Sequence, residues 1–258
     1  MSQTSPIETR MNVGRRWSVK YRVQTYTVTV LALFVFQVFA GRTGGAVANQ
    51  FSYQSIDYHD IYAWLSVHHF VQMLVALALI AVLGKLLQLD FGLKLGDIKQ
   101  GKRSVLIFTA AFAGFTLISH ILMRIYNMLP VFDFPLNVGN VLGTLGFQLL
   151  LSGPSEEILY RAIPITVLIY VTGRNVSTKH KLTLETIIAS LLFAVAHTTW
   201  SLSPLSLEID YFRVFYAFTL GTISGVTYQK THSILYPMLM HSISNVLMVG
   251  TGYLFTLL

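Results

Sequence analysis

Apolar residues gather along this chain in seven runs, at residues 21–41, 61–84, 104–126, 138–171, 182–202, 211–228 and 233–257. A membrane-crossing helix needs about 20 mostly apolar residues, and each run approaches or exceeds that length. The pattern predicts an all-α polytopic transmembrane bundle of about seven spans. The fourth run is too long for one straight crossing and contains Gly153-Pro154. Proline removes a helical hydrogen bond and clashes with the preceding turn, so a kink or a re-started helix is expected there, with room for an eighth span.

Composition sharpens this picture. Of 258 residues, 53% are hydrophobic and only 11% charged, against roughly 25% charged in soluble domains. The net charge of +7 does not form a nucleic-acid-binding face. The bases fall in short segments between apolar runs: Arg10, Arg15, Arg16, Lys20 and Arg22; then Lys85, Lys94, Lys99, Lys102 and Arg103; then Arg174, Lys179 and Lys181; then Lys230. The alternate loops carry Asp57, Asp60, Asp133, Glu208 and Asp210. This asymmetry predicts a cytosolic N-terminus. The expected organisation is a basic cytosolic segment at 1–20 followed by one transmembrane domain at 21–258. Segment 85–103 mixes apolar and basic residues, as a membrane-surface segment does and an ordinary basic loop does too. Ala46-Val47-Ala48 resembles a signal-peptidase site, but the long basic segment before it and the spans after it favour a retained first span. The chain has no cysteine, so it offers no disulfide, thiolate nucleophile or thiolate metal site.

The chemistry concentrates in Ser155-Glu156-Glu157-Ile158-Leu159-Tyr160-Arg161, flanked by apolar sequence on both sides. Ionisable groups at membrane depth are costly, so they mark a functional site by default. Glu157 and Arg161 are four apart, share a helix face and are spaced for an ion pair. Glu156 is turned about 100° away. It has no partner on its own segment, which leaves it for acid or base chemistry or for a structural ion network. The fifth run places Phe193 and His197 on one face, and the seventh places His241 and Asn245 on one face. A lone histidine in such a helix commonly packs, and paired polar groups commonly bond between helices. Two donors one turn apart also suit a developing oxyanion. His68, His69 and His120 are assigned to packing or the interface, and Gly221 and Gly225 to close helix contact.

The three segments Glu156-Glu157-x-x-x-Arg161, Phe193-x-x-x-His197 and His241-x-x-x-Asn245, in this order on successive apolar runs, resemble the CPBP family of intramembrane proteases. That family contains the Rce1-like CAAX prenyl endopeptidases and bacterial bacteriocin-processing and self-immunity proteins. The resemblance covers roughly residues 104–249 and implies a protease core at about 104–258. It implies that Glu156 and His197 activate a water, that His241 and Asn245 form an oxyanion hole, and that Glu157, Arg161 and Phe193 support them. No cofactor is favoured. The alternative is zinc on Glu156, His197 and His241, one carboxylate and two imidazoles. The implied partners are the lipid bilayer and a membrane-presented peptide or protein, with no nucleic acid. The short loops fit a bacterial plasma membrane as the location. Two rival classes stand beside the enzyme: a non-enzymatic immunity or binding protein, and a proton-coupled transporter that uses its buried Glu and His residues.

Overall fold

The computed structural model describes residues 19–173, 182–202 and 204–258. Arg10, Arg15, Arg16, Arg174, Lys179 and Lys181, used above to orient the chain, lie outside the described residues. Among the described residues there are seven helices and one hairpin. The helices are α1 (Val19–Ala48), α2 (Ala63–Leu87), α3 (Ile98–Ile125), α4 (138–172), α5 (Leu184–Ala196), α6 (Tyr211–Thr231) and α7 (Leu235–Leu257). The strands β1 (Thr199–Leu202) and β2 (Leu205–Glu208) pair antiparallel. Four helices are long and apolar enough to cross a membrane: α1 from Val23, α2, α3 and α7.

The helices run alternately up and down. The α2–α3 and α6–α7 connections meet at one end, where the Asp97 amide donates to the Thr231 carbonyl (2.8 Å) and the Ile234 amide to the Gly92 carbonyl (2.9 Å). At the opposite end the Arg124 guanidinium donates to the Phe255 carbonyl, joining the far ends of α3 and α7. Asp97 caps α3 by accepting the Gln100 amide. This cap starts α3 six residues before its apolar run, so 85–103 is neither one surface segment nor one loop. Lys85 belongs to α2, 98–103 belong to α3, and only 88–97 is loop. In that loop, burial works to raise the Asp90 carboxyl. Bonds from Lys94 and the Gly92 amide outweigh burial and hold it below its ordinary range. Ala46-Val47-Ala48 lies in the last turns of α1, with Ala48 fully buried.

Two expectations need correction. The first concerns α4, which neither breaks nor restarts at Gly153-Pro154. Its residues are α-helical over Val138–Phe147, Gly153–Glu157 and Ile163–Thr172, with wider π turns at Gln148–Ser152 and Ile158–Ala162. Backbone angles remain helical through both π turns. Each π turn ends two residues before a proline, Pro154 or Pro164. Widening the turn absorbs the missing amide and the ring clash that would break an α-helix. The second turn shows the bookkeeping of donors. The Ile163 amide bonds to Ile158 O and Pro164 has no amide, so the Leu159 carbonyl takes the Gln37 side-chain amide from α1 instead (3.4 Å).

The second correction is the fifth run. It is not a 20-residue helix: α5 stops at Ala196 and residues 199–208 form the hairpin. Thr199-Trp200-Ser201-Leu202 alternates polar with apolar positions, and Pro204 after it favours a turn, which together favour strands. Arg42 of α1 lies 5.8 Å from the Trp200 ring centroid, a cation–π contact tying the hairpin to the bundle.

Gly221 and Gly225 serve packing inside the molecule. A Cβ at Gly221 would lie 3.1 Å from Arg161 Nη2, and one at Gly225 would lie 2.8 Å from Thr186 of α5.

Candidate active site

The paired glutamates occupy the short α segment between the two π turns of α4. Glu157 and Arg161 are both 0% exposed, with Arg161 Nε 3.4 Å from Glu157 Oε2. The spacing expectation for this pair therefore holds. The pair is an ion contact without hydrogen-bond alignment, because none of the guanidinium nitrogens has an aligned acceptor. Arg161 gains a second contact instead: its Cζ lies 3.8 Å over the Phe193 ring.

The other oxygen of Glu157 bonds to His241 Nδ1 at 2.8 Å. A carboxylate only accepts, so Nδ1 carries the hydrogen. His241 Nε2 is thereby aimed at Glu156, 3.7 Å from Oε2. This separation is longer than a hydrogen bond and within ion-pair range. Glu156 itself is largely buried, with 16% of its side chain exposed.

His197 caps the C-terminus of α5, and its Nδ1 donates to the Phe193 carbonyl (2.9 Å). A carbonyl only accepts, so the neutral ring keeps a lone pair on Nε2. His197 makes no ion-pair contact with Glu156 within 4 Å, but stands within its electrostatic reach. The Phe193 ring is the hub of the cluster. His197 packs edge-on at 4.4 Å, His241 edge-on at 6.0 Å and Tyr160 at 5.2 Å. Asn245, one turn beyond His241, donates to Ser152 Oγ at 3.0 Å. Both members of the α7 pair therefore face α4. All seven residues picked from the sequence belong to one neighbourhood.

One neighbour was missed. His69 of α2, assigned above to packing, places Nδ1 2.8 Å from Ser155 Oγ and 3.9 Å from Glu156 Oε1. The available signal was its position: an ionisable residue within an apolar span is a functional candidate by default. His120, in contrast, bonds to its own helix at Thr116 O and packs on Phe255, as expected for packing.

The charges nearly cancel. Glu156 and Glu157 bring two negatives and Arg161 one positive, so a single proton shared with the histidines makes the cluster neutral. Neutrality is strongly favoured where water is scarce. Among the described residues, no group of three or more His, Cys, Asp or Glu is placed to hold a metal ion. The zinc set Glu156, His197 and His241 is not gathered on one point.

Comparison with known proteins agrees with the motif reading. Residues 138–247 match the family described as Type II CAAX prenyl endopeptidase Rce1-like. No curated protein matches the chain. No solved structure matches it either.

Proposed function

We propose that this protein, whose residues 138–247 match the Rce1-like family of CAAX-type membrane proteases, hydrolyses a peptide bond of a membrane-presented substrate with water activated by Glu156. The observation that carries the reading is the aimed imidazole. Glu157 holds His241 by Nδ1, so that Nε2 confronts the Glu156 carboxylate.

Glu156 takes one proton from a water, whose other hydrogen bonds to the His197 Nε2 lone pair. The water oxygen attacks the scissile carbonyl carbon. Protonated His241, clamped between two carboxylates, donates from Nε2 to the resulting oxyanion, and the Asn245 amide supplies a second donor. Glu156 then passes its proton to the leaving nitrogen and the C–N bond breaks. Arg161 and Phe193 keep Glu157 and both imidazoles in place.

Peptides with a prenylated CAAX terminus, the substrate class named for the family, are the first probe. The bacterial plasma membrane and a cytosolic N-terminus complete the reading. Purified protein reconstituted in liposomes with a fluorogenic farnesylated CAAX peptide provides the test. Glu156→Gln should lower the cleavage rate at least 100-fold with unchanged melting temperature and elution volume. Cleavage by Glu156→Gln at the wild-type rate would refute the proposal. Wild-type activity is expected to persist in a strong chelator.

A further inference from the structure

His69 lies on α2, far outside the 138–247 segment that matches the family. Two contacts nonetheless join it to the centre of the site: Nδ1 is 2.8 Å from Ser155 Oγ and 3.9 Å from Glu156 Oε1. The hydrogen on this nitrogen follows from its neighbours. Ser155 has a single hydroxyl hydrogen, and the Ser152 carbonyl, an acceptor only, stands 3.2 Å from its oxygen. With the hydroxyl donating there, the serine oxygen must accept, so His69 Nδ1 donates. A bare lone pair on Nδ1 would instead face the Glu156 carboxylate and be repelled by it.

Glu156 therefore sits between two imidazoles, one for each oxygen. His241 of α7 faces Oε2 at 3.7 Å and His69 of α2 faces Oε1 at 3.9 Å. The same Ser155–Ser152 link continues to Asn245, whose amide donates to Ser152 Oγ. Contacts through the backbone carbonyl and the hydroxyl of Ser152 thus tie α2, α4 and α7 together. The ring of His69 is itself fixed edge-on against Phe147 of α4 at 5.1 Å and against His68 at 5.2 Å. The ionisable groups within electrostatic reach of His69 are Glu156 on α4, His241 on α7 and His197 on α5, with His68 on its own helix.

We propose that His69 is a positioning residue of the hydrolytic centre, holding the Oε1 edge of Glu156 and sharing with His241 the proton that balances its charge. This deepens the proposed function and rests on it. An imidazolium 3.9 Å from Oε1 attracts that oxygen electrostatically and leaves Oε2 toward His241 and the water. A second imidazole gives the compensating proton a seat in the resting site, from which it returns to His241 Nε2 before that nitrogen serves the oxyanion. A protonated His69 also favours the carboxylate form of Glu156 over the acid.

His69→Asn separates this role from packing. The asparagine amide nitrogen lies close to where Nδ1 was, keeps a donor for Ser155 and carries no titratable charge. The proposal expects kcat for the farnesylated CAAX peptide to fall about tenfold or more with KM within about twofold of wild type. It also expects the low-pH fall-off of activity to move to higher pH, because the imidazolium that favours the carboxylate is gone. Wild-type kcat together with a wild-type pH profile in His69→Asn would make His69 a packing residue and overturn the proposal. A second readout needs neither substrate nor a His69 variant. The imidazole ¹⁵N resonances of His69, followed against pH in wild type and in Glu156→Gln, should differ; coincident titrations would sink the proposal. The failure of the protease reading is distinct, because it appears as no cleavage by wild type or full cleavage by Glu156→Gln, whatever the ¹⁵N titration shows.

Discussion

At the scale of single residues, the cluster is governed by the cost of burying charge. Glu157 and Arg161 are both wholly buried, and removing one partner of such a pair leaves an uncompensated ion costing about 3–5 kcal/mol. Glu157→Gln keeps the shape and deletes the charge. It should destabilise the protein by about that amount in thermal or denaturant unfolding in detergent. The double variant Glu157→Gln/Arg161→Met should recover much of the loss, because the remaining charge is gone too. An equal loss in the single and double variants would mean that the ion pair is not the source. Arg161→Lys is not a mild substitute, since an ammonium cannot lie flat on the Phe193 face as the guanidinium does at 3.8 Å.

At the scale of elements, the site depends on how closely α7 approaches α4. That approach is set at Gly153, where a Cβ would lie 2.5 Å from Ser242 Oγ and 2.8 Å from the Met238 carbonyl. The second neighbour is backbone and cannot swing away. Gly153→Ala should therefore cost about 1–3 kcal/mol of stability and push His241 off Glu156, lowering cleavage more than the stability loss explains. The paired measurement is unfolding and kcat on the same preparation. Gly96 meets a different constraint: its φ is +53° and a Cβ would sit 2.1 Å from the Thr231 carbonyl. Gly96→Ala should therefore loosen the joint between the α2–α3 loop and the α6–α7 turn. Its expected signature is a lower melting temperature with an unchanged pH profile, because the joint lies away from the glutamates.

At the scale of the whole molecule, the alternating direction of seven helices has a consequence for labelling. The loop holding Tyr58 and the loop holding Lys94 flank α2 and so lie at opposite ends of the bundle. Both residues are well exposed. The proposed topology, read from the basic bias, puts the Lys94 end in the cytosol. The native chain has no cysteine, so single-cysteine variants report without background. Tyr58→Cys should react with an impermeant maleimide on intact cells, and Lys94→Cys only after permeabilisation. The reverse pattern would invert the proposed topology.

Much of this molecule was legible from its sequence, because hydrophobic burial leaves a one-dimensional trace. Six of the seven apolar runs correspond to full helices, and Glu157–Arg161, Phe193–His197 and His241–Asn245 pair as helical spacing requires. The early end of α5 and the hairpin after it were less visible, since lipid-like composition masks a change from helix to strand. Spacing along one helix also says nothing about what faces it from another. Only the folded bundle brings His69 of α2 to the second oxygen of Glu156, turns His241 through its bond to Glu157, and shows that the irregularity expected at Pro154 takes the form of π turns that keep the glutamates in one helical run. These outcomes depend on which helices lie side by side and on where unpaired backbone groups find donors, and both are decided when the chain closes on itself.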